Sequence, residues 1–189
     1  HARRVLDGPI GDDLLEKFKA RGLVALAWGE QGFRHITNNK VSVAAPADLK
    51  GLKLRTMENP VHITAFRTLG ASPTPMSWPD VMGALQQGTI DGQENPLSVV
   101  TSAKLYQVQK HLTLTGHVYS PVAILVSPTF WEGLTPAQRT AVQDGAKAAA
   151  AATRKFVEET DVKAVEELKA QGMQVVVLQD KAPFQQALS

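Results

Sequence analysis

At 189 residues the chain is longer than the usual single domain and short for two complete ones; its 43% hydrophobic and 20% charged content allows a sizeable core and argues against disorder. The 20 basic and 18 acidic residues, net +2, are spread without a concentrated basic face, so no nucleic acid is expected as a partner. The lack of cysteine excludes disulfides and thiolate metal sites and leaves the compartment open between a reduced cytosol and the periplasm.

Residues 11–20 place acidic side chains first and Lys17 and Lys19 last, which complements a helix dipole and predicts a short helix ending near Gly22. The apolar run Leu23 to Trp28 predicts a buried strand that stops at Gly29. Pro46 to Gly51 read as one helical turn, and Leu52-Lys53-Leu54-Arg55 alternates like a short strand with Arg55 at its end. Asn59-Pro60 opens a helix through Leu69, closed by Gly70, whose Val61, Ala65 and Leu69 form an apolar face able to pack on a sheet. Ser77-Trp78-Pro79-Asp80 is a variant capping box starting a helix to Gly88, with Trp78 in the first turn. Thr89-Ile90 then reads as a very short strand, Asp91-Gly92 as a turn, and Asn95-Pro96 as the N-cap and first residue of another helix.

From Leu112 to Val126 the Val-, Leu-, Ile-, Thr- and Tyr-rich chain predicts two extended segments, broken at Gly116 and Pro121. Its apolar stretches, such as Val118 to Val126, are too short for a membrane-spanning helix. Thr135-Pro136-Ala137-Gln138 is a strong helix start, and no proline follows until Pro183. A helix from Pro136 to Gln171 would be about 54 Å long, more than a small domain's diameter, and is expected to span more than one lobe. Gly172 can end it, Val175 to Leu178 read as a buried strand, and residues 181–188 as a terminal helix.

The five histidines, at 1, 35, 62, 111 and 117, lack the i, i+4 pairing of a metal site, so no metal is expected. Asp91 and Glu94 read as solvated capping groups rather than an acid/base pair. No nucleophile elbow, phosphate loop or dinucleotide fingerprint is present, which disfavours an enzyme and implies no cofactor. Arg55 at a strand end suits either a two-pronged grip on a ligand carboxylate or a surface salt bridge. Trp78 reads equally as core packing, and Asn95 as a plain cap.

The ordered segments GFRHITNN, DLKGLKLRTMENP, LGASPTPMSWPDV, ALQQGTIDGQENPLSVV and YQVQKHLTLTGHVYSP resemble the solute-binding proteins of TRAP transporters, the C4-dicarboxylate-binding (DctP-like) family. The resemblance implies an α/β fold of the periplasmic binding protein type, with two lobes, a cleft and a long helix spanning both. It implies lobe two over 29–116, and a partial lobe one over 1–28 and 117–189 whose first strands and helices, like the signal peptide, lie before residue 1. It further implies a non-enzymatic, periplasmic protein that passes a small carboxylate to membrane permease subunits. Arg55 in KLRTM falls on the family's carboxylate-binding arginine, Arg34 on a second arginine that some members use, Trp78 on a ring against the ligand, and Asn95 on an amide that bonds it. Glu58, close after Arg55, would repel a second ligand carboxylate and so favours a monocarboxylate or hydroxy acid over a plain dicarboxylate. The alternative is an effector-sensing domain of a regulator with the same fold.

Overall fold

The computed structural model describes residues 1–189. Helices α1 (Ala2–Leu6) and α2 (Pro9–Lys17) lead into β1 (Val24–Asn38). There follow β2 (Lys53–Thr56), α3 (Pro60–Thr68), β3 (Ser72–Pro75), α4 (Trp78–Gln86), β4 (Gly92–Pro96), α5 (Leu97–Ser102) and β5 (His111–Leu114). The chain continues through β6 (Tyr119–Val126), α6 (Pro128–Glu132), α7 (Pro136–Ala170), β7 (Gln174–Val177) and α8 (Ala182–Gln186). Two compact units result, one of His1–Gly32 with Tyr119–Thr160, the other of Phe33–Val118 with Asp161–Ser189.

In the first unit Leu26 and Ala27 pack against Ala146 and Ala150 of α7, where small side chains let strand and helix approach closely. Gly29 does not stop the strand as the sequence reading expects. A Cβ there would lie 2.8 Å from Thr153 Oγ1, so glycine keeps the space between β1 and α7 and the strand runs on to Asn38. The Thr153 hydroxyl accepts from the Glu30 amide at 3.0 Å, and Arg154 grips both Asp7 carboxylate oxygens at 2.7 Å. Those hydrogen bonds hold the Asp7 carboxyl below its usual range.

The second unit carries a mixed sheet in the order β3-β2-β4-β1-β5-β7. β2 is parallel to both β3 and β4, β5 is parallel to β7, and β1 is antiparallel to β4 and β5. Side chains alternate across it. One face buries Ile36 and Leu54 with Phe66 of α3; the other, through Leu112, packs Val81 and Leu85 of α4 and Val100 of α5 against Ala164 and Leu168 of α7. Each fully buried Leu or Val stabilises by about 1.5–3 kcal/mol.

That last contact accounts for a difference from the expected division. Residues 161–189 go with 33–118 rather than with lobe one, because the end of α7, Met173 and β7 complete the same sheet and core. The expected two-residue strand Thr89-Ile90 is instead a turn leading to β4. Asn95-Pro96 does not start a helix: Asn95 pairs with His35 within β4, and α5 begins only at Leu97. On α3 the buried side chains are His62 and Phe66, while Val61 is 73% exposed. The helix turns His62 towards Glu94, which carries Val61 outwards, while Leu69 packs against the Ile36, Leu54 and Phe66 core as expected.

Candidate functional site

All four expected ligand-contacting residues lie in the second unit, and the sheet explains how Arg55, Asn95 and Trp78 meet, while Arg34 starts from the opposite face and reaches Asn95 through its Nη2. Arg55 on β2 is the register partner of Gln93 on β4, so Asn95, two residues along, projects from the same face. Trp78 begins α4, which covers that face after the capping turn in which Ser77 Oγ donates to Asp80 Oδ2 at 2.5 Å.

Arg55 is 4% exposed. Its Nε and Nη2 donate to the Met76 carbonyl at 2.9 and 2.7 Å, and the guanidinium lies 5.6 Å from the centre of the Trp78 ring. Both protein hydrogen bonds thus use one edge of the fork and end on a neutral oxygen. The Nη1/Nη2 edge is left over, and like the Nε/Nη2 edge it can match a carboxylate. Burial lowers the Arg55 pKa, with Glu94 and Glu58 opposing and Arg34 adding to the shift. Trp78 is 41% exposed and therefore offers a ring face to solvent rather than filling the core.

Arg34 has a different setting. Its Nε and Nη2 donate to the Glu94 carboxylate at 2.6 and 2.9 Å, and Nη2 also reaches the Glu94 carbonyl at 2.6 Å and Asn95 Oδ1 at 3.0 Å. Glu94 is fully buried, with His117 Nε2 at 3.0 Å and His62 Nδ1 at 3.6 Å from its oxygens. Burial by itself would raise the Glu94 pKa, but hydrogen bonds from His117 and Arg34, the nearby His62 ring and the Arg34 charge hold it well below the carboxylate range. As an ionised carboxylate Glu94 only accepts, so His117 Nε2 is the donor, with the Thr115 hydroxyl 2.7 Å from its Nδ1.

Sequence reasoning missed this cluster because Gln93-Glu94-Asn95 looks like a solvated turn. It is instead the centre of a sheet; the readable signal was four residues, 93–96, between the Asp91-Gly92 turn and the helix that starts at Leu97. Gly92 is required at the strand's start, since a Cβ there would sit 2.1 Å from the Thr37 carbonyl oxygen. No group of three or more His, Asp or Glu side chains converges in a metal-holding arrangement.

His35, the register partner of Asn95, accepts the Gly116 amide at Nδ1 (3.1 Å). Burial, with His117 and Lys181 acting in the same direction, pushes its pKa down from 6.5 to about 4. In that window the unfolded chain binds the proton that folded His35 refuses, so its contribution to stability is complete above pH 6.5 and declines as pH falls towards 4. Urea unfolding is expected to show a His35-dependent loss of roughly 2 kcal/mol between about pH 7.5 and about pH 5, flattened in His35→Asn. An unchanged pH slope in the variant would refute this.

Comparison with known proteins identifies the setting. The family model "Bacterial extracellular solute-binding protein, family 7" (DctP) matches residues 1–189. A solute-binding protein of Verminephrobacter eiseniae is 56% identical over 189 residues, covering 100% of this chain and 56% of its own length. The 2,3-diketo-L-gulonate-binding periplasmic protein of Escherichia coli is 42% identical over 188 residues, covering 100% of this chain and 57% of its own. A crystal structure of a TRAP periplasmic solute-binding protein from Polaromonas, bound to D-erythronate, superimposes with a TM-score of 0.98 at 49% identity, covering 100% of this chain and 62% of that one. The chain thus spans a little over half the length of the curated relatives. No helix is long and apolar enough to cross a membrane. With the whole of residues 1–189 matched, and with relatives at these identities, the chain belongs to the DctP family of bacterial extracellular solute-binding proteins.

Proposed function

We propose that this chain is part of the periplasmic solute-binding component of a TRAP transporter, which captures a small sugar acid and delivers it to the membrane permease subunits. Arg55 carries the reading: a buried cation whose protein hydrogen bonds end on a neutral carbonyl needs a compensating anion, and its Nη1/Nη2 edge fits a carboxylate. Trp78 then lies against the ligand, and the Arg34–Glu94 pair together with Asn95 forms the polar wall beside it. Glu58 lies close enough to act on the Arg55 charge and would repel a second carboxylate, which favours a hydroxylated monocarboxylate over a dicarboxylate. The ligands of the relatives, 2,3-diketo-L-gulonate and D-erythronate, have that chemistry. Those relatives are binding proteins, which favours transport over the sensor reading.

The test is calorimetry and thermal melting of the intact protein with D-erythronate, 2,3-diketo-L-gulonate and succinate. A ligand at a hundred times its Kd adds about 2.7 kcal/mol of stability. The sugar acids are expected to bind and succinate to bind far more weakly; preference for succinate would overturn the monocarboxylate assignment.

Trp78→Ala is expected to weaken sugar-acid binding by about tenfold, while Trp78→Phe keeps most of it, since a flat apolar surface is what the ligand uses. Because the ring is partly exposed, neither change should shift the melting temperature much. A large drop in melting temperature with unchanged affinity would assign Trp78 to packing instead.

A further inference from the structure

The second unit contains a run of buried polar side chains that the carboxylate grip does not use. Arg34 Nη2 donates to Asn95 Oδ1 at 3.0 Å, and Asn95 Nδ2 donates to Gln93 Oε1 at 2.5 Å. Gln93 Nε2 donates to Thr37 Oγ1 at 2.9 Å, and the Thr37 hydroxyl donates to Gln109 Oε1 at 2.8 Å. Gln109 Nε2 ends the run on the backbone carbonyls of Val108 (2.9 Å) and Asp91 (3.4 Å). Asn95, Gln93, Thr37 and Gln109 are all buried.

Both ends fix the same direction. A guanidinium only donates, so Asn95 must turn its oxygen towards Arg34; backbone carbonyls only accept, so Gln109 must turn its nitrogen towards Val108. Reversing any amide in between would set donor against donor or acceptor against acceptor among buried groups, where an unpaired polar atom is costly. The single Thr37 hydrogen transmits the constraint from one amide to the next.

We infer that Gln93, Thr37 and Gln109 are positioning residues for ligand selection: their one-way hydrogen-bond chain locks the Asn95 amide so that it offers its remaining N–H, never its carbonyl oxygen, to the ligand. This rests on the reading above that Asn95 faces the ligand. Asn95 then recognises an acceptor, a carboxylate or hydroxyl oxygen, and adds a directional donor to the Arg55 fork. Flanking packing alone would leave the two amide orientations close in energy; the chain separates them.

The intact protein, 15N-labelled, tests this with Thr37→Val, which keeps the side chain's shape but removes the relaying hydroxyl, and Thr37→Ser, which restores it. Thr37→Val is expected to move the side-chain amide resonances of Gln93 and Asn95 in the free protein and to weaken D-erythronate binding about tenfold. Thr37→Ser should return both to near wild type, a rescue that a purely volumetric role would not give. Unmoved Asn95 amide resonances, or undiminished affinity in folded Thr37→Val, would overturn the inference. If Thr37→Val does not fold, Gln109→Met removes the far acceptor and carries the same expectation. A wild-type protein that ignores D-erythronate counts against the sugar-acid reading, while the resonances of the free protein still decide the chain of hydrogen bonds.

Discussion

Arg55→Lys is expected to weaken sugar-acid binding almost as much as Arg55→Ala, by about a hundredfold or more in each case. The wild-type group does three things at once: it donates twice to the Met76 carbonyl, lies under the Trp78 ring, and leaves the Nη1/Nη2 edge aimed away from Met76. An ammonium keeps the charge but has no planar fork, so it cannot hold Met76 with one edge and a carboxylate with the other. Removing one partner of a buried, hydrogen-bonded charge pair costs about 2–5 kcal/mol, and about 2.7 kcal/mol is already a hundredfold in Kd. Calorimetry on both variants with D-erythronate provides the measurement, with melting curves to separate folding from binding. Near-normal affinity in the lysine variant would show that Arg55 acts as a charge alone. Unliganded Arg55→Ala should be no less stable than wild type, because removing the buried cation also removes its desolvation cost, whereas Arg55→Lys keeps a buried charge and gains no such relief.

The sequence made helix starts legible wherever their chemistry is local. At Asn59-Pro60 the asparagine side chain caps the Val61 amide at 2.9 Å, and at Thr135 the box is reciprocal: Thr135 accepts from the Gln138 amide at 3.3 Å and Gln138 from the Thr135 amide at 2.9 Å. Asn95-Pro96 has the same letters and lies in a strand, because antiparallel pairing with β1 across 60 residues of sequence outweighs the local preference. The α7 helix ends as expected, at a Gly172 with φ of +91°. Arg55 and Trp78 were readable as residues, from position and resemblance. Their mutual contact, and the Met76 carbonyl that orients the fork, arise from the β2–α4 geometry and were not. The Glu94 cluster was illegible for the same reason: His62 comes from α3, Arg34 from β1 and His117 from the connection between β5 and β6, and a run of Gln-Glu-Asn looks solvated until the sheet closes around it.

That cluster carries the largest stability effect expected in the molecule. Glu94→Gln keeps the size of the side chain but leaves the buried Arg34 guanidinium without its counter-charge, and breaking one side of a buried pair costs about 3–5 kcal/mol. Against the 5–15 kcal/mol that holds a typical domain together, this is enough to leave a large fraction unfolded at moderate temperature. Removing both charges should be milder: Arg34→Met with Glu94→Leu replaces the pair by apolar groups of similar volume, which is often close to neutral. The double variant is therefore expected to be more stable than Glu94→Gln alone, although His117 loses its acceptor and keeps part of the penalty. The pH dependence separates the two. Since the folded Glu94 pKa is depressed below its ordinary 4.5, its contribution is intact above that pH and drains away as pH falls further, when the unfolded chain takes up a proton that the folded carboxylate resists. Wild type should thus show a steep acid limb below about pH 4.5, and the double variant a shallower one, in urea midpoints taken across that range. A Glu94→Gln protein as stable as wild type, or acid limbs of equal slope, would mean that the Arg34–Glu94 pair does not hold this sheet together.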